Sequence, residues 1–256
     1  AVTGMTKIVP LVQEEHIVKQ SGNNPYFQFG RKDPMPGRVV TGPSSVTSKP
    51  CHGDYTFKVQ KGKVPISTGI MNPHVFYTDP HSNPNANQNW TSETRVDLWG
   101  CRTSSNTGID ASVSKTIYDP SPSGFCLPAS GAFSATTING NDQSTDRNIN
   151  GDRFITLFAN NQGGYFYCKP MKASGNWDIT GGTLFFPNSL GRHNKSGKII
   201  PTTSYYWTAT AQNQNAAPVL CLRNNVVSPP GGKSPGSFWS AVFGRAGGFS
   251  VRPVRE

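Results

Sequence analysis

A chain of 256 residues with a formal charge of +10, 15% charged residues, 27 glycines and 21 prolines suits one irregular domain or two small ones. The turn-forming composition excludes a helix-dominated fold, 14 Phe, 8 Tyr and 5 Trp exclude a wholly disordered chain, and no stretch reaches the roughly 18 apolar residues of a membrane span. Basic residues are dispersed and form no stripe such as a nucleic-acid groove requires, so charge alone names no partner and nucleic acid is not expected.

In chain order, the first segment holds "MTKIVPLVQEEHIVKQ", whose apolar residues fit a strand and a helix equally well, and residues 1–24 are read as an N-terminal extension or strand. Residues 25–256 form the main domain. In "NPYFQFGRKDPMPG", Tyr26, Phe27 and Phe29 precede a turn marked by Gly30, Pro34, Pro36 and Gly37, the pattern of an aromatic anchor beside rigid backbone. The polar run 79–89 reads as a surface loop, while Trp90, Val96, Leu98 and Trp99 are expected to carry a helix turn or strand into the core.

"KTIYDPSPSGFCLPASGAF" predicts a buried Ile117 and Tyr118, a proline-controlled turn, then Phe125 and Leu127 pointing inward. Short aromatic-rich strands follow in "FITLFAN", "GGYFYCKP", "TLFFP" and "YYWTAT". "APVLCLRNN" alternates Val219, Cys221 and Arg223 against Leu220 and Leu222, a half-buried strand. In "GFSVRPVRE" Pro253 lacks a ladder donor and predicts an edge or a strand end.

Chemistry is sparse. The cysteines at 51, 101, 126, 168 and 221 contain no CxxC pair and allow at most two disulfides, with the pairing open. Asp146, Asn148, Asn150 and Gly151 follow half of a calcium loop, but Leu157 stands where the bidentate glutamate belongs. The five histidines show no ligand spacing, and there is no nucleophile elbow or phosphate loop. Cys126-Leu127-Pro128 starts like the formylglycine signal, yet Ser130 replaces its arginine. No catalytic residue, metal or cofactor is expected.

Six segments then occur in order: "YFQFGRKDPMPG" (26–37), "DLWG" (97–100), "KTIYDPSPSGFCLP" (115–128), "TLFFPNSLGR" (183–192), "SYYWTAT" (204–210) and "GGFSVRPVRE" (247–256). Together they resemble the Fibrobacter-type major paralogous domain of Bacteroidales surface lipoproteins and fimbrial tip proteins. The resemblance implies an α+β, C-type-lectin-like fold of loop-rich mixed small sheets with few short helices. It also implies that Trp207, Phe249, Val251 and Val254 belong to the core. Ser121 and Pro253 stand where such domains usually carry cysteines, which implies the loss of a terminal staple.

By the same resemblance the connections between the last strands present side chains outward. Gln212, Asn213, Gln214 and Asn215 lie on one connection; Asn224, Phe238, Trp239, Phe243 and Arg245 lie on the next stretches. Aromatic and arginine side chains in a partly exposed patch are common binding anchors. The calcium-dependent sugar motifs of C-type lectins are missing, which favours metal-independent contacts. The expectation is a non-catalytic module at the cell surface, outer membrane or fimbrium. It would bind a glycan or protein ligand, with neighbouring fimbrial subunits as further partners, in adhesion or fimbrial tip recognition. The alternatives are a structural capping or spacer domain, or an enzyme akin to the formylglycine-generating relatives of the fold, which needs a reactive cysteine pair in an open cleft.

Overall fold

The computed structural model describes residues 25–35, 58–79, 89–104, 111–136, 153–157, 164–171, 177–178, 184–187, 189–200, 204–223, 226–228 and 242–256. These form small sheets with very few helices, a loop-rich mixed α+β arrangement. The N-terminal extension 1–24, the calcium-like residues 146–151, and Cys51 lie outside the described residues.

In chain order the elements are β1 (Phe27–Gln28), β2 (Lys58–Lys61), α1 (Ile66–Met71), β3 (Val75–Thr78), β4 (Phe125–Cys126) and a 3-10 segment (Ser130–Thr136). Then come β5 (Arg153–Leu157), β6 (Gly164–Met171), β7 (Trp177–Asp178), β8 (Leu184–Pro187), β9 (Ser204–Trp207), β10 (Ala216–Arg223), β11 (Val226–Ser228), β12 (Val242–Gly244), β13 (Gly248–Val251) and β14 (Val254–Arg255). The main sheet runs β1-β13-β9-β10-β11, with β12 also paired to β10. β9 and β13 are parallel, matching Tyr206 to Ser250 and Trp207 to Val251, and β1 lies antiparallel on β13 with Phe27 opposite Phe249. Residues from the two ends of the described chain thus share one sheet.

Aromatic side chains fill that sheet's core because each buries a large apolar area and each indole N–H finds an acceptor. Trp207 Nε1 donates to Phe27 O at 2.8 Å, Trp90 Nε1 to Phe29 O at 2.8 Å and Trp99 Nε1 to Tyr118 O at 2.9 Å. The anchor expected at 26–29 is therefore held at alternate carbonyls by two tryptophans from distant segments. Val96 packs partly buried against the same core, and Trp90, Leu98 and Trp99 lie fully inside it on irregular backbone, with no strand or helix.

β10 departs from its expected half-burial. Val219 and Cys221 face the main core, whereas Leu220 and Leu222 face a second cluster with Phe133, Phe186 and Tyr206. Both faces are covered because the 3-10 segment and β8 supply apolar groups to the outer side. Alternation in a strand marks two faces; it does not say that one of them is wet.

Three inward-pointing residues turn out otherwise. Ile117 is 78% exposed, since its neighbour Thr116 takes the inward place and donates its hydroxyl to Leu98 O. Phe125 is 38% exposed because Cys126, beside it on β4, takes the inner face. Val254 is 41% exposed: Pro253 ends the core strand at Val251, as expected, and the chain leaves to pair with β4, Val254 opposite Cys126. Val251 and Phe249 do pack with the core, as does Tyr118 in part.

Asp119 organises the turn between these segments. Its buried carboxylate accepts from Ser121 N (2.7 Å) and Leu127 N (3.0 Å), while Lys115 Nζ donates to the carbonyls of Ser121 (2.7 Å) and Phe125 (2.6 Å). The loop holds its shape without a crosslink at Ser121.

Loop 193–198 is equally tight. His193 N–H donates to Lys198 O and Gly197 N–H to His193 O, both at 2.8 Å, and His193 Nδ1 accepts from Lys195 N at 3.2 Å. Partial burial of the ring, then the Lys195 ammonium, hold the imidazole below its ordinary range, although the residue as a whole is exposed. A base with a depressed folded pKa binds its proton more readily unfolded, so its stabilisation is complete above the unfolded value of about 6.5 and is lost as pH falls through the lower folded value. Urea midpoints taken from about pH 7.5 to 5 are expected to fall less steeply for His193→Gln than for the native chain. Parallel curves would exclude this coupling.

Candidate binding surface

The connection Gln212–Asn215 is an Asx turn at the start of β10. Asn213 Oδ1 accepts from Asn215 N (2.8 Å) and Ala216 N (3.0 Å), and the N–H groups of Gln212 and Asn213 both donate to Ala216 O. Asn213 therefore spends its side-chain oxygen on the turn. Gln214 is exposed, and Gln212 and Asn215 are half-buried, leaving amide groups at the surface.

Beneath the turn lies Arg245, which the structure removes from the outward-facing set: it is 0% exposed. Its Nη1 donates to Gln214 O at 3.1 Å and Arg95 O at 2.9 Å, its own N–H to Asn215 O at 2.9 Å, and its guanidinium stands 4.8 Å from the Phe29 ring centre. Nε and Nη2 find no acceptor among the described residues. Burial pushes this guanidinium down to about 9. The cause of its position is the antiparallel pairing of β12 with β10, Gly244 opposite Ala216, which swings the next residue under the turn.

Phe243 also differs from an outward anchor. Its ring is half-buried and meets Tyr205 edge-on at 4.7 Å and Phe249 at 5.2 Å, so it works first as part of the core. Asn224, Phe238 and Trp239 lie outside the described residues. Of the expected contact residues, the structure brings 212–215 together with 243–245; the former face outward and the latter support them.

Two supports carried no signal in the sequence. Asn89, at the end of the polar run read as a surface loop, is buried; its Nδ2 donates to Gln214 O at 2.7 Å and its Oδ1 accepts from Thr91 N. Arg95 lends its carbonyl to Arg245, and its side chain pairs with Asp97 at 3.0 Å; that hydrogen bond, with the charge, holds the Asp97 carboxyl below the usual range. Short polar side chains that bond to distant carbonyls leave no periodic trace.

Other chemistry is limited among the described residues. Cys101 is a free buried thiol that accepts from Thr210 Oγ1 at 3.6 Å; Cys126 is also free and buried, and burial, with Asp119 and Glu256 nearby, pushes its thiol up. Cys221 is buried in the main core. No group of three or more His, Cys, Asp or Glu side chains forms a metal site among the described residues. An open cavity of about 160 Å³ is lined by Ile66, Ile70, Trp90, Ile117, Lys32 and Asp33 among others, none of them from 212–215 or 242–245. No described helix is long and apolar enough to cross a membrane. Comparison of the chain with protein-family models, with curated proteins and with solved structures returned no match.

Proposed function

We propose that this protein is a non-catalytic binding module of C-type-lectin-like fold, displayed at the cell surface or on a fimbrium, that grips a glycan or protein ligand through the connections between its last strands. The observation that carries this reading is the 212–215 turn: exposed amides on a backbone whose carbonyls are clamped from below by Arg245 and Asn89. A turn already ordered loses little entropy on binding. Burial of the Cys101, Cys126 and Cys221 thiols, which also pushes that of Cys126 up, speaks against covalent chemistry at these three.

The test is a glycan array, with immobilised host and fimbrial proteins in parallel, probed with the native chain, Gln212→Ala/Asn215→Ala and Phe238→Ala/Trp239→Ala. Both double variants are expected to lose more than about tenfold in affinity while melting like the native chain. A large fall in melting temperature for Phe238→Ala/Trp239→Ala, with binding intact, assigns those aromatics to packing. The spacer role has its own support in Ile70, Met71 and Ile117, exposed apolar side chains that a neighbouring subunit would cover. Concentration-dependent self-association abolished by Ile117→Asp would favour that role.

A further inference from the structure

The dispersed lysines do not stay dispersed. β2 reads "KVQK", all four residues are exposed, and Lys63 follows two positions later; loop 193–198 reads "HNKSGK". These segments lie some 130 positions apart in the sequence and meet in the fold, a Cβ at Gly197 falling 3.1 Å from Val59. Val59 and Lys61 share a strand face by the period of two, so Lys61 stands on the side that meets the Gly197 turn, the turn whose sequence carries Lys195 and Lys198. By the same period Lys58 lies on the opposite face of β2, and Lys63 follows the strand half-buried. Asp79, whose N–H donates to Asn194 O, is buried and presents no carboxylate at this surface, and the described ion pairs involve none of Lys58, Lys61, Lys63 or Lys198.

Lysine on an edge strand has a plain use, blocking sheet-to-sheet association. That explains Lys58 and Lys61. It does not explain Lys195 and Lys198, which sit on no strand but on a turn fixed by its own hydrogen bonds. The geometry points to a docking surface for an acidic polysaccharide, a chain of sulfate or carboxylate groups lying across β2 and loop 193–198. This site is separate from the 212–215 turn and does not depend on its role.

The chemistry favours that occupant. Among the described residues of these two segments the exposed cations, Lys58, Lys61 and Lys198, are ammonium groups, point charges that tolerate a series of loosely placed anions, and none is a guanidinium fork suited to one phosphate. Among the described residues the patch exposes no Phe, Tyr or Trp ring for base stacking, its one exposed ring being the His193 imidazole, and it presents no helix for a groove. Among the described residues of these two segments Val59 is the exposed apolar side chain, and one short residue beside Gly197 is too little apolar surface to insert into a bilayer. Many weak contacts along a repeating polymer add through effective concentration.

The experiment uses immobilised heparin as the probe, with polyglutamate and phosphatidylglycerol vesicles as competing polyanions. The native chain is expected to be retained at low salt and eluted by a gradient. Lys61→Glu/Lys198→Glu is expected to elute much earlier and to bind soluble heparin roughly tenfold or more weakly. Arg102→Glu/Arg255→Glu makes the same change in net charge at exposed sites on other segments and is expected to elute with the native chain. Should the first pair melt early, Lys61→Gln/Lys198→Gln replaces it. Absence of retention, equal loss in the control pair, or equally tight binding of polyglutamate or vesicles overturns the proposal.

Discussion

Trp207→Ala is expected to cost about 3–5 kcal/mol of stability and to lower the melting temperature by roughly 10 °C or more. The indole is fully buried on β9, and its ring lies 4.7 Å from Phe249, 5.7 Å from Phe29 and 6.2 Å from Trp99, so truncation opens a void that three rigid rings cannot fill. The loss also removes one of the donors to Phe27 O, the indole N–H, in a water-free place. Trp207→Phe separates the two effects, keeping most of the volume and losing the donor, and is expected to cost about 1–3 kcal/mol. Urea denaturation of both variants measures this. A Trp207→Ala chain within about 1 kcal/mol of the native one would mean that the β1-β13-β9 core is not the stabilising unit described above.

Arg245→Ala is expected to cost about 2–4 kcal/mol and to weaken ligand binding as well. Three effects act against stability: a void beneath the turn, loss of a donor to Arg95 O, and loss of the cation over Phe29. One acts for it, since removing a buried charge relieves the desolvation that depresses its pKa. Gln214 O keeps a second donor in Asn89, so the carbonyl of Arg95 is the one stranded. Arg245→Met keeps much of the stem's packing and isolates the charge; it is expected to be milder than Ala yet to loosen the turn. The sign with pH follows from linkage. The folded value, about 9, lies well below the ordinary guanidinium range, so below 9 the buried charge carries its whole penalty, and the native chain gains stability relative to Arg245→Met as pH rises through 9. A flat difference between them from neutral pH upward would show that the group stays protonated throughout.

These variants bear on the proposed site in different ways. Trp207 acts on the scaffold, and its loss lowers binding only as far as it unfolds the chain. Arg245 acts on the turn itself, so a binding defect in a folded Arg245→Met chain would tie the clamped backbone to recognition.

Much of the core was legible without coordinates. Tyr26, Phe27, Phe29, Trp90, Trp99, Trp207 and Phe249 are large apolar groups beside turn residues, and nothing but burial disposes of such area in water. The strands at 153–157, 164–171, 184–187, 204–207 and 216–223 announced themselves by β-branched and aromatic runs, and Pro253 marked the end of the last core strand because it has no N–H to give. Such properties belong to a residue and its immediate neighbours.

What the tertiary structure alone decided is where loop residues face and which distant segments meet. Arg245 reads as a surface cation until β12 pairs with β10 and carries it under the turn; Ile117 reads as core until Thr116 takes the inward place; the second face of β10 reads as wet until Phe133 and Phe186 cover it. Lys61 and the turn carrying Lys195 and Lys198 come to one side of the molecule only when Val59 meets Gly197. In irregular backbone no period ties a side chain's direction to its position, so its burial is set by partners far along the chain, and electrostatic fields add in space, not in sequence.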